Sequence, residues 1–387
     1  MPDRNLGLYI HVPFCRSKCA YCDFYSLAGA DELMTPYVDA LRAQLDAFSA
    51  RAAGYVVDTV YVGGGTPSYL GAARLSGVLD AVRGGYRLAP DAEITLEANP
   101  ESAGDWFAEL RAAGFNRVSL GMQSADNAEL RAVGRVHTVE QVADAVSAVR
   151  RAGFGNLSLD LIYGLPGQSA AGWRRNVEYA VGLAPEHLSC YGLKLEPGTP
   201  LYRNRGALSF PDDDAQADMY LWTADALAAH GYRQYEVSNF ARPGRESRHN
   251  LKYWTLGEYL GFGPGAHSDF GGVRFAWARD LKAYTARAWA YSESARITPE
   301  ERAREWLMLG LRTTDGVSLP EYAARFGRGF DARFLSQCVA AGYAVQDAGR
   351  VSLTPRGFLV SNQIIGRALE LAASPSVPAN SPRFGKS

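Results

Sequence analysis

Tyr9-Ile10-His11-Val12-Pro13-Phe14-Cys15-Arg16-Ser17-Lys18-Cys19-Ala20-Tyr21-Cys22-Asp23-Phe24 holds three of the chain's five cysteines within eight residues, at the spacing C-x3-C-x2-C. Thiols this close in sequence make poor disulfide partners for one another and read as metal ligands. A cubane iron–sulfur cluster normally takes four thiolates, so three leave one iron open to a small ligand. A zinc site is the competing reading, with His11 as its fourth donor. The aromatic setting favours the cluster. Phe14, Tyr21, Phe24 and Tyr25 would keep water from it and help set its potential, a shield that structural zinc does not need.

Outward from this stretch, Leu6 to Val12 alternates and stops at Pro13, which predicts a strand that delivers the cysteine loop at its carboxyl end. Thr35 to Ala53 has helical spacing, and Val56 to Val62 is a β-branched run that enters Gly63-Gly64-Gly65-Thr66-Pro67. Helices are expected over 70–82, 106–113, 139–152 and 173–183, and strands over 93–98, 117–121, 157–162 and 187–193. Six strands alternating with helices predict an α/β fold, a partial (β/α)6 TIM-like barrel over residues 1–200 whose active end is the carboxyl end of its strands.

Residues 201–295 read as an extension of the barrel, with a helix from Pro211 to His230. His249-Asn250-Leu251-Lys252-Tyr253-Trp254 and the glycine-rich run 261–268 read as loops. Three helical stretches from Pro299 to Ala341, a hairpin over 343–353 and a closing helix over 358–371 predict a small winged-helix-like domain over 296–372. The recognition-helix position carries only Arg333 as a base, so DNA reading is not expected. The tail 373–387, rich in Ser, Pro and Asn, is expected to be disordered.

With 387 residues and 47% hydrophobic side chains the chain can fill a sizeable core. Its 40 basic and 41 acidic residues leave a net charge of -1, which calls for neither nucleic acid nor an anionic membrane surface. The N-terminus has no apolar h-region and no run of apolar residues is long enough to span a bilayer, so a cytoplasmic location is expected. Cys190 and Cys338 read as small core residues.

The strand ends should carry the chemistry. Gly64, Gly65 and Thr66 offer close backbone approach to a ligand's amino acid end. Glu97 closes the third strand, followed by Gln123, Arg135 and Asp160. Asp160 lies inside an apolar strand, where an unpaired charge is costly, so it is either functional or bonded to backbone amides.

The cysteine motif resembles the signature of the radical SAM superfamily. From Tyr9 through Gly167 the chain resembles the oxygen-independent coproporphyrinogen III oxidase family, and more closely its haem chaperone (HemW) branch. Asp23-Phe24 stands where the oxidase has a further cysteine, only eight residues precede Tyr9, and His249-Asn250-Leu251-Lys252-Tyr253-Trp254 is similar to the branch's H-N-x-x-Y-W motif. The resemblance implies a [4Fe-4S] cluster on Cys15, Cys19 and Cys22. It also implies contacts to S-adenosylmethionine (SAM) from Tyr9, Tyr21, Gly64 and Glu97, with Gly65, Thr66, Gln123, Arg135 and Asp160 at matching positions.

Beside the family reading, a loop histidine at 249 suits an axial ligand to haem iron, with Tyr253 and Trp254 against the porphyrin and His267 as a second candidate. The alternative is a hydrogen-bonded His249 among core aromatics. Arg242, Arg245 and Arg248 are either propionate-binding or solvated. The function expected is a haem chaperone; the rivals are a radical SAM oxidase acting on coproporphyrinogen and radical SAM work on an unrelated substrate. The partners implied are haem or porphyrin and a haem-acceptor protein, with a transiently met membrane protein among the candidates.

Overall fold

The structure, a computed structural model, describes residues 4–102 and 104–372. The expected tail lies outside them. The described chain divides into two compact units, the first ending at Ile297 and the second beginning at Thr298, with Trp254–Leu256 grouped with the second.

The first unit is built on one sheet. Its strands β1 (Arg4–Val12), β2 (Tyr55–Gly64), β3 (Leu88–Ala98), β4 (Arg117–Gln123), β5 (Leu157–Tyr163) and β6 (His187–Gly192) pair in sequence order, all parallel. Each is followed by a helix, such as Met34–Ser49, Ala72–Gly85 and Val139–Arg151. Helix Met34–Ser49 buries Tyr37, Val38, Leu41, Leu45 and Phe48 along one face, the 3.6-residue stripe its sequence carries. Thr138 and Gln141 form a capping box that starts helix Val139–Arg151. The strands are apolar on their outer face because helices cover it, and this near-continuous apolarity is what parallel sheets require.

Both edges of the six-stranded array are extended. Strands β7 (Arg233–Gln234) and β8 (Asn239–Ala241) add antiparallel beyond β6. On the other side β9 (Tyr259–Phe262) pairs parallel with β1, and β10 (His267–Phe270), β11 (Val273–Trp277) and β12 (Tyr291–Arg296) continue antiparallel. The sheet is open, its edges being β12 and β7. Residues 201–253 and 257–297 are therefore sheet and helix of the same unit as the barrel.

Two stretches expected as loops are regular. Residues 261–268 are the end of β9, a turn and the start of β10; Gly263 takes a φ of +98°, and a side chain there would strike the His11 carbonyl. The H-N-x-x-Y-W stretch is a helix, Arg248–Trp254. Its first N–H groups are capped from far away in sequence: Glu93 Oε2 and Oε1 accept from the amides of Arg248 and His249, each at 3.1 Å. These bonds reach across 155 residues and add to a weaker local one, in which Ser247 Oγ accepts from the Asn250 amide at 3.4 Å.

In the second unit, helices Pro299–Gly310, Leu319–Phe326 and Ala332–Ala340 accompany a three-stranded sheet whose first strand falls between the first two helices. Its strands β13 (Val317–Ser318), β14 (Ala344–Asp347) and β15 (Arg350–Leu353) pair in the order β13, β15, β14. Thr298 and Glu301 form its first capping box. The closing helix is in two pieces, Pro355–Leu359 and Ser361–Leu371.

Replacing Glu93 with Ala orphans one buried and one part-buried helix N–H group at once, so we expect about 2–4 kcal/mol of lost stability. Urea unfolding of the purified protein measures it, and an unchanged midpoint would show the cap to be idle.

Candidate functional site

The cysteine loop is fastened at its base. Phe14 is buried edge-on against Tyr37 at 5.3 Å and bridges to Leu27; Cys15 N donates to Leu27 O at 3.0 Å and Leu27 N to Pro13 O at 2.9 Å. The glycine run is stitched to the same base: Gly65 N donates to Val12 O at 2.8 Å and Thr66 N to Phe14 O at 2.7 Å. Each glycine there has a steric reason. A Cβ on Gly65 would lie 2.6 Å from the Phe14 carbonyl oxygen and 3.0 Å from the Cys15 sulfur, and one on Gly64, whose φ is +114°, would lie 2.6 Å from His11 Nδ1. The far side of the loop is held by Ala20, whose N–H donates to Val133 O and whose carbonyl accepts from Leu201 N.

The three loop cysteines, all free, line one cavity of about 520 Å³ at the carboxyl ends of the strands. Of the expected residues, Tyr21, Gly64, Gly65, Thr66, Glu97, Gln123, Arg135 and Asp160 line it as well. Tyr9 does not: its phenol meets His11 Nδ1 at 2.9 Å and its ring lies 6.2 Å from that of Tyr61.

Donors face two of the sulfurs. Thr66 Oγ1 stands 3.5 Å from Cys15 Sγ and Arg135 Nη1 3.5 Å from Cys19 Sγ. Arg135 is held by Asn99 Oδ1 at 2.8 Å and Gly121 O at 2.7 Å, while Asn99 Nδ2 reaches back to Thr66 at 3.2 Å. Arg135 Nε also donates to His137 Nδ1 at 3.3 Å. Burial, reinforced by that guanidinium, pushes His137 down to about 3, so it accepts there as a neutral ring. Burial raises the Cys22 thiol, as do the neighbouring Cys19 and Cys15 sulfurs.

Opposite the sulfurs stand two carboxylates. Glu97 accepts from Tyr61 OH at 2.7 Å and Gly64 N at 3.0 Å, yet burial pushes it up to about 7. Asp160 is raised by burial too, and is gripped by Ser119 Oγ at 3.1 and 3.0 Å and by Ser158 Oγ at 3.4 Å. Gln123 sits in a left-handed conformation, φ +64°, a strained backbone of the sort found at ligand sites.

The zinc reading loses its fourth donor. Both ring nitrogens of His11 are engaged, Nδ1 by Tyr9 and Nε2 by the Tyr25 carbonyl at 2.8 Å. Among the described residues no group of three His, Cys, Asp or Glu side chains is gathered to hold a single metal ion. The donor set instead suits a cluster with one thiolate per iron: three loop thiols, hydrogen-bond donors aimed at two of them, and a roomy cavity beside them.

The haem candidates lie elsewhere. His249 is 1% exposed, its Nδ1 bonded to Thr59 Oγ1 at 2.9 Å and its Nε2 to Tyr253 OH at 2.8 Å; burial pushes it down to about 3. Neither it nor Tyr253 lines the cavity, and Trp254 groups with the other unit. His267 is half-exposed, 3.4 Å from Glu293. Arg242 lies over the Tyr232 ring and Arg248 bonds to Asp91.

Sequence reasoning passed over Asn99, Tyr61, Arg117, Ser119, Ser189, Tyr191 and Asn250, all in the cavity wall. Arg117 was findable. It opens the apolar strand β4 as Asp160 interrupts β5, and it is 2% exposed with Nε unpartnered.

We expect Gly65→Ala to force the loop base apart, with iron content after reconstitution falling well below wild type while the far-ultraviolet circular dichroism stays the same. Because Glu97 binds its proton more tightly folded than unfolded, it lowers stability as pH rises from about 4.5 to about 7. Glu97→Gln should flatten that slope in apo-protein melts; an identical slope would mean that Glu97 does not titrate there.

The comparisons with known proteins agree with this geometry. The radical SAM superfamily model matches residues 9–180, and the HemN C-terminal domain model residues 297–360. The heme chaperone HemW of Mycobacterium tuberculosis is 40% identical over 378 residues, covering 94% of this chain and 95% of that one, and the HemW of Escherichia coli is 38% identical, covering 93% and 97%. Radical S-adenosyl methionine domain-containing protein 1, mitochondrial, of Bos taurus is 38% identical and covers 81% and 75%. Among solved structures, the coproporphyrinogen III oxidase HemN of Escherichia coli, described as a radical SAM enzyme, superposes with a TM-score of 0.82 at 25% identity, covering 95% of this chain and 90% of that one. With its cysteine loop at the mouth of an open parallel barrel and its HemN-type C-terminal unit, this chain belongs to the HemW family of the radical SAM superfamily.

Proposed function

We propose that this protein is a haem chaperone: it binds haem, passes it to an acceptor protein, and carries a [4Fe-4S] cluster on Cys15, Cys19 and Cys22 with SAM in the adjoining cavity. The observation that carries the reading is the meeting of three free loop thiols, the buried Glu97 and Asp160 carboxyl groups and two guanidinium groups in one cofactor-sized cavity. The HemW naming of relatives over 93–94% of the chain supports the haem part. Among the described residues no helix is long and apolar enough to cross a membrane, and a cytoplasmic site of action goes with the proposal.

A cluster held by Cys15, Cys19 and Cys22 beside SAM would supply one-electron reducing chemistry. The protein's own part is to hold the ligand and exclude water. Gly64 and Gly65 let the ligand come against backbone, and Glu97 and Asp160 accept from its ammonium or hydroxyl groups. Arg135 and Thr66 direct donors at the sulfurs, while Gln123 and Tyr21 complete the wall. A haem iron reaching His249 has to displace Tyr253 from Nε2 or Thr59 from Nδ1, the other bond being free to remain.

The second reading is an oxidase acting on coproporphyrinogen III. The fold shared with HemN favours it; Asp23-Phe24 in place of a further cysteine argues against it. The test is anaerobic: reconstitute the cluster, add SAM, reductant and coproporphyrinogen III, and follow the porphyrin by mass spectrometry, with haem titration in parallel. We expect haem binding and an unchanged porphyrinogen; loss of two carboxyl groups at catalytic turnover would overturn the chaperone reading.

A further inference from the structure

The H-N-x-x-Y-W helix is pressed into the underside of the barrel. Gly7 of β1 lies against it: a Cβ on Gly7 would stand 2.8 Å from Lys252 Cδ and 3.3 Å from His249 Cε1. Thr59 and Glu93, partners in adjacent strands, grip His249 from two sides, through its Nδ1 and its backbone N–H. Lys252 Nζ pairs with Asp58 Oδ1 at 2.6 Å.

From this position the helix reaches the cavity in two ways. The His249 ring stacks on that of Tyr61, with centroids 5.2 Å apart and planes 27° apart. Tyr61 OH is the donor to Glu97 Oε1, and Glu97 Oε2 takes the Gly64 amide. One residue on, Asn250 is itself part of the cavity wall, together with Tyr61 and the buried Arg117.

We propose that this helix is the floor of the SAM cavity, with His249 a positioning residue that acts through Tyr61 on Glu97 and Asn250 a residue that touches the ligand. The proposal rests on the reading that the cavity takes SAM. It gives the motif a role other than iron ligation. A histidine with both nitrogens spent inside the protein is a fixed packing and hydrogen-bonding surface, and its neighbour along the helix is the group turned toward the ligand.

The test is a double-mutant cycle on the reconstituted full-length protein, with SAM affinity, haem affinity and iron content measured for each variant. We expect His249→Ala to weaken SAM binding about ten-fold, the size of one lost hydrogen-bonded contact. In a Tyr61→Phe background it should cost little more, because both changes release the same carboxylate. His249→Gln, which keeps one hydrogen-bonding group, should recover part of the loss. Asn250→Ala leaves the helix's anchors in place and should weaken SAM in both backgrounds. Haem affinity and iron content should match wild type throughout. SAM losses that add independently for His249 and Tyr61, or a loss of haem affinity with SAM affinity intact, would overturn the role of His249, and an Asn250→Ala protein of wild-type SAM affinity would overturn that of Asn250. A wild-type protein that binds no SAM would instead overturn the reading of the cavity, and this proposal with it.

Discussion

Two backbone hydrogen bonds hold the site together: the amides of Gly65 and Thr66 on the carbonyls of Val12 and Phe14. They join the carboxyl ends of β1 and β2 just where the cysteine loop leaves the sheet, and they form only because position 65 has no Cβ. Phe14 carries the constraint inward, since its ring is locked against Tyr37, whose hydroxyl in turn donates to the His11 carbonyl at 2.7 Å. The loop that bears the thiols is thus an extension of the core.

The polar interior obeys one electrostatic pattern. Burial drives the imidazoles of His11, His137 and His249 to low values, about 4, 3 and 3, so near neutral pH they are uncharged spacers with assigned partners. Positive charge in the cavity wall comes from Arg117, Arg135, Lys18 and Lys194, and the two arginines stay charged when buried. The two carboxylates are raised, each restrained by hydroxyl or amide donors. Positive charge in the cavity is therefore of fixed sign, while Glu97, raised to about 7, changes its charge near neutral pH. Such an environment suits a ligand that itself carries both signs.

Much of this was legible in the chain. The six strands and their helices followed from periodicity, because parallel strands buried on both faces read as apolar runs with glycine or polar residues at their carboxyl ends. Cys15, Cys19, Cys22, Gly64 and Glu97 stood out because each breaks a local pattern at or just past a strand end, and Asp160 because it interrupts an apolar strand. Helix Arg248–Trp254 did not, for its first two amides are taken by Glu93, in another strand, its local cap from Ser247 is a long 3.4 Å bond, and its burial depends on a glycine at position 7. The same holds for β9, whose partner is the first strand of the chain. Tyr61 was hidden for a different reason: alternation marks which residues point inward but not which of them reach a common cavity.

The pairing of β1 with β9 also sets an order of events during synthesis. The thiols lie within the first 22 residues, yet the strand flanking them on one side is Tyr259–Phe262 and the cavity floor includes Asn250. At translation rates of roughly 5–20 residues per second, some tens of seconds separate the emergence of Cys22 from that of β9. Through that interval β1 has one bare edge and the sulfurs have no floor beneath them. The earliest thiols to leave the ribosome are enclosed by segments made much later, so the cavity that they line is complete only once the chain through β9 has emerged.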